Sequence, residues 1–418
     1  MSLAETVAFH RDPLAFLRKR QRNEGDVFTV ELTFVGPTTV VAEPEAAILL
    51  LGSDPESAEA GRARRGVVPM ASERSVFGGD GTTHGVARRR LAPAFAPEAM
   101  SARGGAIAAI AERHAAAWPR GRPVQLLSRM RTLADDVFVR VMLGVVDERR
   151  AAALVDSLGA LLRIPGNPPL PPPGPENGAP GALAMRIFAR RRASLERLLR
   201  DEIESRGQGA PGPAPDVIEC LLAAEERPDM SEMLDELITL LLAAQEPPSI
   251  ALAWLLDVLG RHRYLGSEYL RAGPASELGE GVLAESLRLR PAALAALRRL
   301  REPIEAGGTR LPPGTNAMVP LPLLHRDPRF FSDPDRFDPG RWSSFAAPPA
   351  VFHPFGGGSR GCIGEPLARA LVAAAVPAIL ATADLTPLWP RRERMALRGT
   401  VLVPHRSLPT LVADPGSR

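Results

Sequence analysis

A mainly α fold with a small β-rich lobe is predicted from three observations. Apolar residues recur at helical spacing along most of the 418-residue chain, strand-like alternation is confined to short stretches, and 45% hydrophobic against 24% charged residues suits a large core. That composition excludes disordered, collagen-like and membrane-span classes. The 51 Lys+Arg against 48 Asp+Glu leave a net charge of +3, too small for a nucleic-acid footprint, and Lys19 is the only lysine. Two cysteines, Cys220 and Cys362, exclude a disulfide scaffold and a thiolate zinc cluster. They leave inert buried thiols or one working thiolate, in a reducing compartment.

The stretch up to Asp26 carries charges every few residues, so it has neither a signal-peptide core nor the roughly 20 apolar residues of a membrane anchor. A cytoplasmic protein with no membrane segment is expected. Alternation over 26–32 and the run 38–42 predict a hairpin of strands. Helical spacing covers 106–117, 133–143, 187–203, 231–259 and 285–289. Between Pro165 and Pro180, eight of sixteen residues are proline, which rules out helix and predicts an extended loop, either a solvated linker or a lid over a pocket.

The chemistry centres on the segment Phe352-His353-Pro354-Phe355-Gly356-Gly357-Gly358-Ser359-Arg360-Gly361-Cys362-Ile363-Gly364-Glu365-Pro366. A cysteine ends a glycine-rich loop whose residues permit positive-φ turns and close backbone approach. Pro366 fits the first turn of the apolar helix that follows. A thiol at that place meets the positive end of the helix dipole and free N–H groups, which are expected to lower its pKa and ready the sulfur for a metal. This segment resembles the heme-binding loop of cytochrome P450s, whose pattern Phe-x-x-Gly-x-x-x-Cys-x-Gly is matched by Phe355, Gly358, Cys362 and Gly364, with Gly356 inside it.

The resemblance extends from about Asp12 to about Pro404 and implies a single domain over 1–418. Its β-containing part, about 12–70, would join C-terminal strands, and the helical core would run over about 80–380. Glu285 and Arg288, three apart on one helix face, resemble with Arg341 the family's buried charge triad, with Gly340 where the family usually has Glu. The triad's implied role is folding and heme incorporation. His84 and Arg88, on a helix opened by Asp80, match the pair that contacts the heme propionates, and Arg298 and Arg360 match two further contacts.

One helix departs from the pattern. The family's distal helix reads Ala-Gly-x-acid-Thr, and its threonine hydroxyl helps deliver protons during oxygen activation. Here Ala243, Ala244 and Glu246 remain, but Pro247 takes the threonine position, followed by Pro248 and Ser249. Two prolines inside a helix cost about 3 kcal/mol or more each and deprive the Ala243 and Ala244 carbonyls of their donors, so a kink is expected. Ser249, Glu246 or ordered water could complete a modified proton path, the substrate could bring a hydroxyl, or peroxide could serve as oxidant.

The resemblance therefore implies a soluble, bacterial-type heme-thiolate monooxygenase. Cys362 would ligate the iron of heme b (iron protoporphyrin IX), and ferredoxin with ferredoxin reductase would bring electrons from NAD(P)H. One oxygen atom of O2 would enter an apolar substrate, with a place in secondary metabolism. The walls expected from 72–79, the proline-rich loop, 240–246 and 292–297 are aliphatic and suit a terpenoid, steroid or polyketide-like guest. The alternatives are a peroxide-driven peroxygenase or atypical P450 chemistry that needs no controlled O–O cleavage, because Pro247 replaces the usual threonine, and, from another class, a heme-binding or sensing protein without turnover.

Overall fold

Val27–Leu32 (β1) and Gly36–Val41 (β2) form the expected hairpin, antiparallel with Phe28 opposite Val40. The computed structural model that shows this describes residues 3–416 except 33–35, 54–55, 69–70, 163–177, 207–211, 344–349 and 391–392. Alternate residues of a strand face opposite sides, so β2 sends Val40 into the main core and Val41 into a smaller one with Ala47, Leu50 and Val319. Ten further strands follow among the described residues: β3 (Ala58–Glu59), β4 (Pro123–Gln125), β5 (Ala295–Leu300), β6 (Ile304–Ala306), β7 (Thr309–Leu311), β8 (Asn316–Pro320), β9 (Asp384–Pro387), β10 (Met395–Arg398), β11 (Val401–Pro404) and β12 (Pro409–Ala413). The main sheet has the order β1-β2-β8-β5-β3, antiparallel except where β2 runs beside β8 in parallel. The sequence is mainly α with a small β-rich lobe, as expected.

Eight helices position the site: α1 (Ala60–Val67), α2 (Gly81–Leu91), α3 (Pro97–Ala116), α4 (Leu126–Val137), α5 (Gly178–Ser205), α6 (Met230–Arg261), α7 (Glu277–Leu289) and α8 (Glu365–Thr382). The helix expected over 133–143 divides, because α4 passes at Phe138 into a π-helical turn in which the Leu143 N–H donates to the Phe138 carbonyl at 2.9 Å. Apolar spacing barely differs between the two forms, so periodicity does not separate them. The proline-rich stretch lies mostly outside the described residues. Its last part, expected to be loop, is helical: α5 begins at Gly178 and holds Pro180 in its first turn, where a missing N–H breaks no bond.

α6 opens on a capping box, in which the Glu232 N–H donates to Asp229 at 2.7 Å and the Asp229 N–H to Glu232 at 3.2 Å. It stays helical through Pro247 and Pro248 and buries Leu237, Leu241, Ile250 and Trp254 in the core. α6 and α8 are each long and apolar enough to cross a membrane by length and composition. Both are instead packed into the helical core, α6 against α4, α5 and α7 and α8 against α3.

Glu285 and Arg288 of α7 are wholly buried. Nε and Nη2 of Arg288 fork onto the two carboxylate oxygens at 2.7 and 2.8 Å. Arg341 Nε donates at 3.2 Å, the Asp338 N–H at 2.9 Å and Trp342 Nε1 at 3.1 Å. Arg288 spends its remaining N–H groups on the carbonyls of His325, Pro334 and Arg336. Burial alone would raise the Glu285 pKa, but the Arg288 fork, the Asp338 N–H and Arg341 outweigh it and hold it below 4.5.

Removing one partner of such a pair strands the other, so Glu285→Gln should lower stability by about 3–5 kcal/mol in chemical unfolding. Glu280→Gln, which breaks the half-exposed pair with Arg369, should change it by about 0–1 kcal/mol. Because the folded-state pKa of Glu285 is depressed, its contribution is present above 4.5 and lost as pH falls through the lower folded value. The two variants should therefore differ most near neutrality and converge in acid; equal stability at pH 7 would remove Glu285 from this role.

Candidate cofactor site

The loop before α8 closes on itself: the Cys362 N–H donates to the Phe355 carbonyl at 2.9 Å and the Gly361 N–H to that of Gly358 at 3.0 Å. Gly356 and Gly358 hold φ of 75° and 61°, the left-handed region that favours glycine. At Gly358 a Cβ would lie 2.7 Å from the Leu51 carbonyl oxygen and 3.0 Å from the Gly52 Cα, so only glycine lets the loop approach that backbone. α8 then starts at Glu365 with Pro366 in its first turn.

Cys362 is exposed by surface area. Yet burial pushes its thiol pKa above 9.0, with the Gly364 N–H, Arg64 and Arg88 opposing and Glu365 adding to the rise. Both facts hold for a sulfur that faces an internal recess. The expectation of a lowered pKa is corrected here, because desolvation outweighs the helix start. A bound metal would reverse this by deprotonating a coordinating thiol outright. Cys220, buried among apolar residues with its pKa pushed up to about 11 by burial, has none of these surroundings.

Four elements bring cations to the recess. α2 supplies His84 and Arg88, whose Nη1 donates to the Gly361 carbonyl at 2.7 Å. β5 supplies Arg298, which donates to the Leu51 and Leu297 carbonyls, and the loop supplies Arg360, which donates to the Gly79 carbonyl at 2.8 Å and to Asp80 at 2.7 Å. α1 adds Arg64, whose guanidinium stacks 4.7 Å over Phe77 and whose charge acts on Cys362. Burial and mutual repulsion lower Arg64 to about 10 and Arg298 to about 9. Burial, Arg360, Arg88 and Arg64 lower His84 to about 4, so within the protein's own charges it is a neutral donor rather than the expected cation. Asp80 is the carboxylate whose charge acts on Arg64, His84, Arg298 and Arg360, and it also accepts the Gly61 and Arg62 N–H groups that open α1. The Nε atoms of Arg298 and Arg360 are buried and have no hydrogen-bond partner among the described residues.

On α6, Ala243 is exposed, and Ala244, Pro247 and Pro248 are half-buried beside it. Pro247 and Pro248 cannot donate to the carbonyls of Ala243 and Ala244. The neighbouring flank is polar and tied to α4: Arg131 donates to Glu246 at 2.8 Å, and Gln245 donates to both oxygens of Asp135 at 2.8 and 2.6 Å. Ser249 is fully buried and donates to the Glu246 carbonyl at 2.9 Å, so its hydroxyl does not reach the open stripe.

The comparisons with known proteins bear on the same chain. Residues 277–409 match the family described as Cytochrome P450. Cytochrome P450 135B1 of Mycobacterium tuberculosis is 30% identical over 423 residues, spanning 96% of this chain and 88% of that protein. The chain belongs to the cytochrome P450 family. P450 135A1 of the same organism is 29% identical, with 96% and 91% covered. The solved structure of retinoic acid bound cyanobacterial CYP120A1 shares the fold, with a TM-score of 0.83 and 22% identity over 98% of this chain and 96% of that one. A P450 from Thermus thermophilus matches with a TM-score of 0.72.

This P450 is therefore a heme-thiolate monooxygenase of a family that uses redox partners and hydrophobic substrates. Its residues fit heme on their own chemistry. A desolvated thiol offers the soft ligand, and buried cations with orphaned N–H groups offer what two carboxylate tails need. Sequence reading missed Arg64 and the charge of Asp80. Among 51 basic residues a Gly-Arg-Ala-Arg-Arg run carries no signal, and only folding brings it beside Cys362.

Cys362→Ala should abolish the strongly red-shifted Soret band of the reduced carbon monoxide complex, and Cys220→Ala should leave it intact. Single Ala variants of Arg64, Arg298 and Arg360 should lose heme faster than Arg89→Ala, an exposed neighbour on α2, in a heme-transfer assay to apomyoglobin. A loss worth about 1–3 kcal/mol of heme affinity is expected where water reaches part of the pair. Equal loss rates would dismiss the cation assignment.

Proposed function

We propose that this P450 inserts one oxygen atom of O2 into an apolar small molecule, with Cys362 ligating heme b and a ferredoxin and its reductase passing on electrons from NAD(P)H. When bound, the heme supplies oxygen activation at its iron, which the thiolate of Cys362 would assist by donating electron density. The observation that carries this reading is the convergence of a recessed thiol with four buried or half-buried arginines and one neutral histidine near Asp80. Arg64, Arg88, Arg298 and Arg360 would hold the cofactor's carboxylates, His84 would donate to one of them, and Phe355, Gly356 and Gly364 would let the backbone approach it.

The open stripe Ala243, Ala244, Pro247 presents no hydroxyl to the oxygen side. Glu246 is the acid nearest to it, held by Arg131 with each side chain about a quarter exposed, which supports a route from solvent through water to this carboxylate. Ser249 is spent on the backbone and drops out of that route. Small apolar side chains on α6 and the half-buried run Ala295 to Leu297 support an aliphatic substrate, and the retinoic acid held by CYP120A1 is a terpenoid of that character. The missing hydroxyl also supports a second reading, in which peroxide is the oxidant and Glu246 moves one proton between its oxygens.

Reconstituted with a ferredoxin and reductase and an apolar substrate found by spectral shift, the parent should form product with incomplete coupling to NAD(P)H. Pro247→Thr should raise product per NAD(P)H over Pro247→Ala toward one to one, because only the Thr variant restores a hydroxyl that can pass on a proton. The Ala variant isolates the backbone effect of removing proline. Equal coupling in both variants would show that Glu246 and water already suffice, and efficient turnover with hydrogen peroxide alone would favour the peroxygenase.

A further inference from the structure

Between α1 and α2 the chain runs through turns at 71–79 with no helix or strand, yet it is held at both ends. The end nearer the cofactor site is fixed tightly. Gly79 offers its carbonyl to Arg360, Gly78 offers its own to Arg65, and Phe77 offers its to Arg64. Gly61 of α1 comes so close that a Cβ there would lie 2.4 Å from the carbonyl oxygens of Gly78 and Gly79.

The other end is held by two adjacent acids of α6. Asp235 accepts from Ser72 Oγ at 2.9 Å, from Arg74 at 3.0 Å and, across the gap to α5, from Arg192 at 2.8 Å. Glu236, almost fully buried, accepts the Val76 N–H with both oxygens at 3.0 and 3.1 Å. Glu236 also lies seven residues before Ala243 and eleven before Pro247, on the same face of the helix as the open stripe.

We propose that Asp235 and Glu236 are positioning residues that strap the 72–76 end of this segment, and through Arg192 helix α5, onto the distal helix, and so set how readily bulky substrates enter the recess. The inference rests on the functional reading of that recess. The two acids divide the work by chemistry. Asp235 is joined to two arginines and is itself 16% exposed, with Arg192 at 27% and Arg74 at 40%, so its bonds are ionic and open to screening by salt. Glu236 is pushed up to about 8 by burial, with Asp235 adding to the rise and the Val76 N–H and Arg90 opposing it, and its buried bonds to the Val76 N–H lie out of the reach of salt. Because the cofactor end is anchored separately by Arg64, Arg65 and Arg360, loosening Asp235 frees one end of the wall and leaves the cradle intact.

The test is stopped-flow association of two azoles with the purified heme-loaded enzyme, read by the Soret shift: bulky clotrimazole and small 4-phenylimidazole. Asp235→Asn and Arg192→Gln should each speed clotrimazole association about three- to tenfold and change 4-phenylimidazole by less than about twofold, as expected for loss of a partly screened ion pair. Arg192→Lys should restore the parent rate. Raising NaCl from about 0.05 to 0.5 M should speed clotrimazole association in the parent and have little effect in Asp235→Asn. Heme content and the reduced carbon monoxide band should match the parent in all variants. Azole rates that ignore both the substitutions and salt, with a normal thiolate band, would overturn the strap alone. Equal acceleration of both azoles, or loss of heme in Asp235→Asn, would overturn it in favour of a general structural role. A parent without the thiolate band would overturn the reading of the recess and the strap with it.

Discussion

A carboxylate wholly removed from water has about four lone-pair directions to satisfy, and Glu285 fills them with two bonds from Arg288 and one each from Arg341, Asp338 and Trp342. Those donors come from one helix and from the segment 338–342, so the ion pair fixes where the chain after β8 must pass. Its influence reaches the cysteine loop. Arg288 holds the His325 carbonyl, the His325 ring accepts the His353 N–H at 3.0 Å, and the Trp342 ring lies 4.6 Å from that of Phe352. The start of the glycine loop is therefore set by the triad, and its end by the helix start at Glu365. Between those two fixed points, the positive-φ glycines and the bond from the Cys362 N–H to the Phe355 carbonyl place the sulfur.

How much of this was legible follows from how local each signal is. Phe355, Gly358, Cys362 and Gly364 lie within ten positions, and each is required by chemistry inside that window, so the loop can be read directly from the chain. Glu285 and Arg288 share a helix face and were readable for the same reason. Arg64 and Cys362 lie 298 positions apart, and Arg131 is 115 positions from Glu246. Arginine supplies all but one of the basic residues, so no single one stands out until folding selects its neighbours. The thiol's raised pKa was equally hidden, because a sequence shows a helix start but not the density of atoms packed over it. Pro180 misled for a related reason: proline excludes helix interiors but not first turns, and composition does not say which a proline will occupy.

α6 shows how a helix can accept two adjacent prolines. Two backbone bonds are forfeited on the stripe that carries Ala243 and Pro247. The opposite burden falls on the flank toward α4, where Gln245 grips Asp135 in the core and Glu246 pairs with Arg131 nearer the surface. The buried Gln245–Asp135 bonds contribute about 1.5–3 kcal/mol each and the partly exposed Arg131–Glu246 pair about 0–1 kcal/mol, which offsets part of what the prolines remove. Side-chain links to a neighbouring helix thus replace backbone links within this one. The substitution has a direction: it leaves the open stripe apolar and without a hydroxyl, and it moves the polar chemistry of this region one flank away.

The recess itself carries an electrostatic debt. Arg64, Arg298 and Arg360 share Asp80, and each lowered pKa records repulsion and desolvation that the folded chain bears. Burying like charges together is unfavourable unless opposite charge joins them, and a cofactor with two carboxylates is opposite charge of the right number. Anything that binds the folded state alone stabilises it by mass action. On the proposed assignment of these residues, heme binding and folding would be coupled through the cations as well as through the thiol.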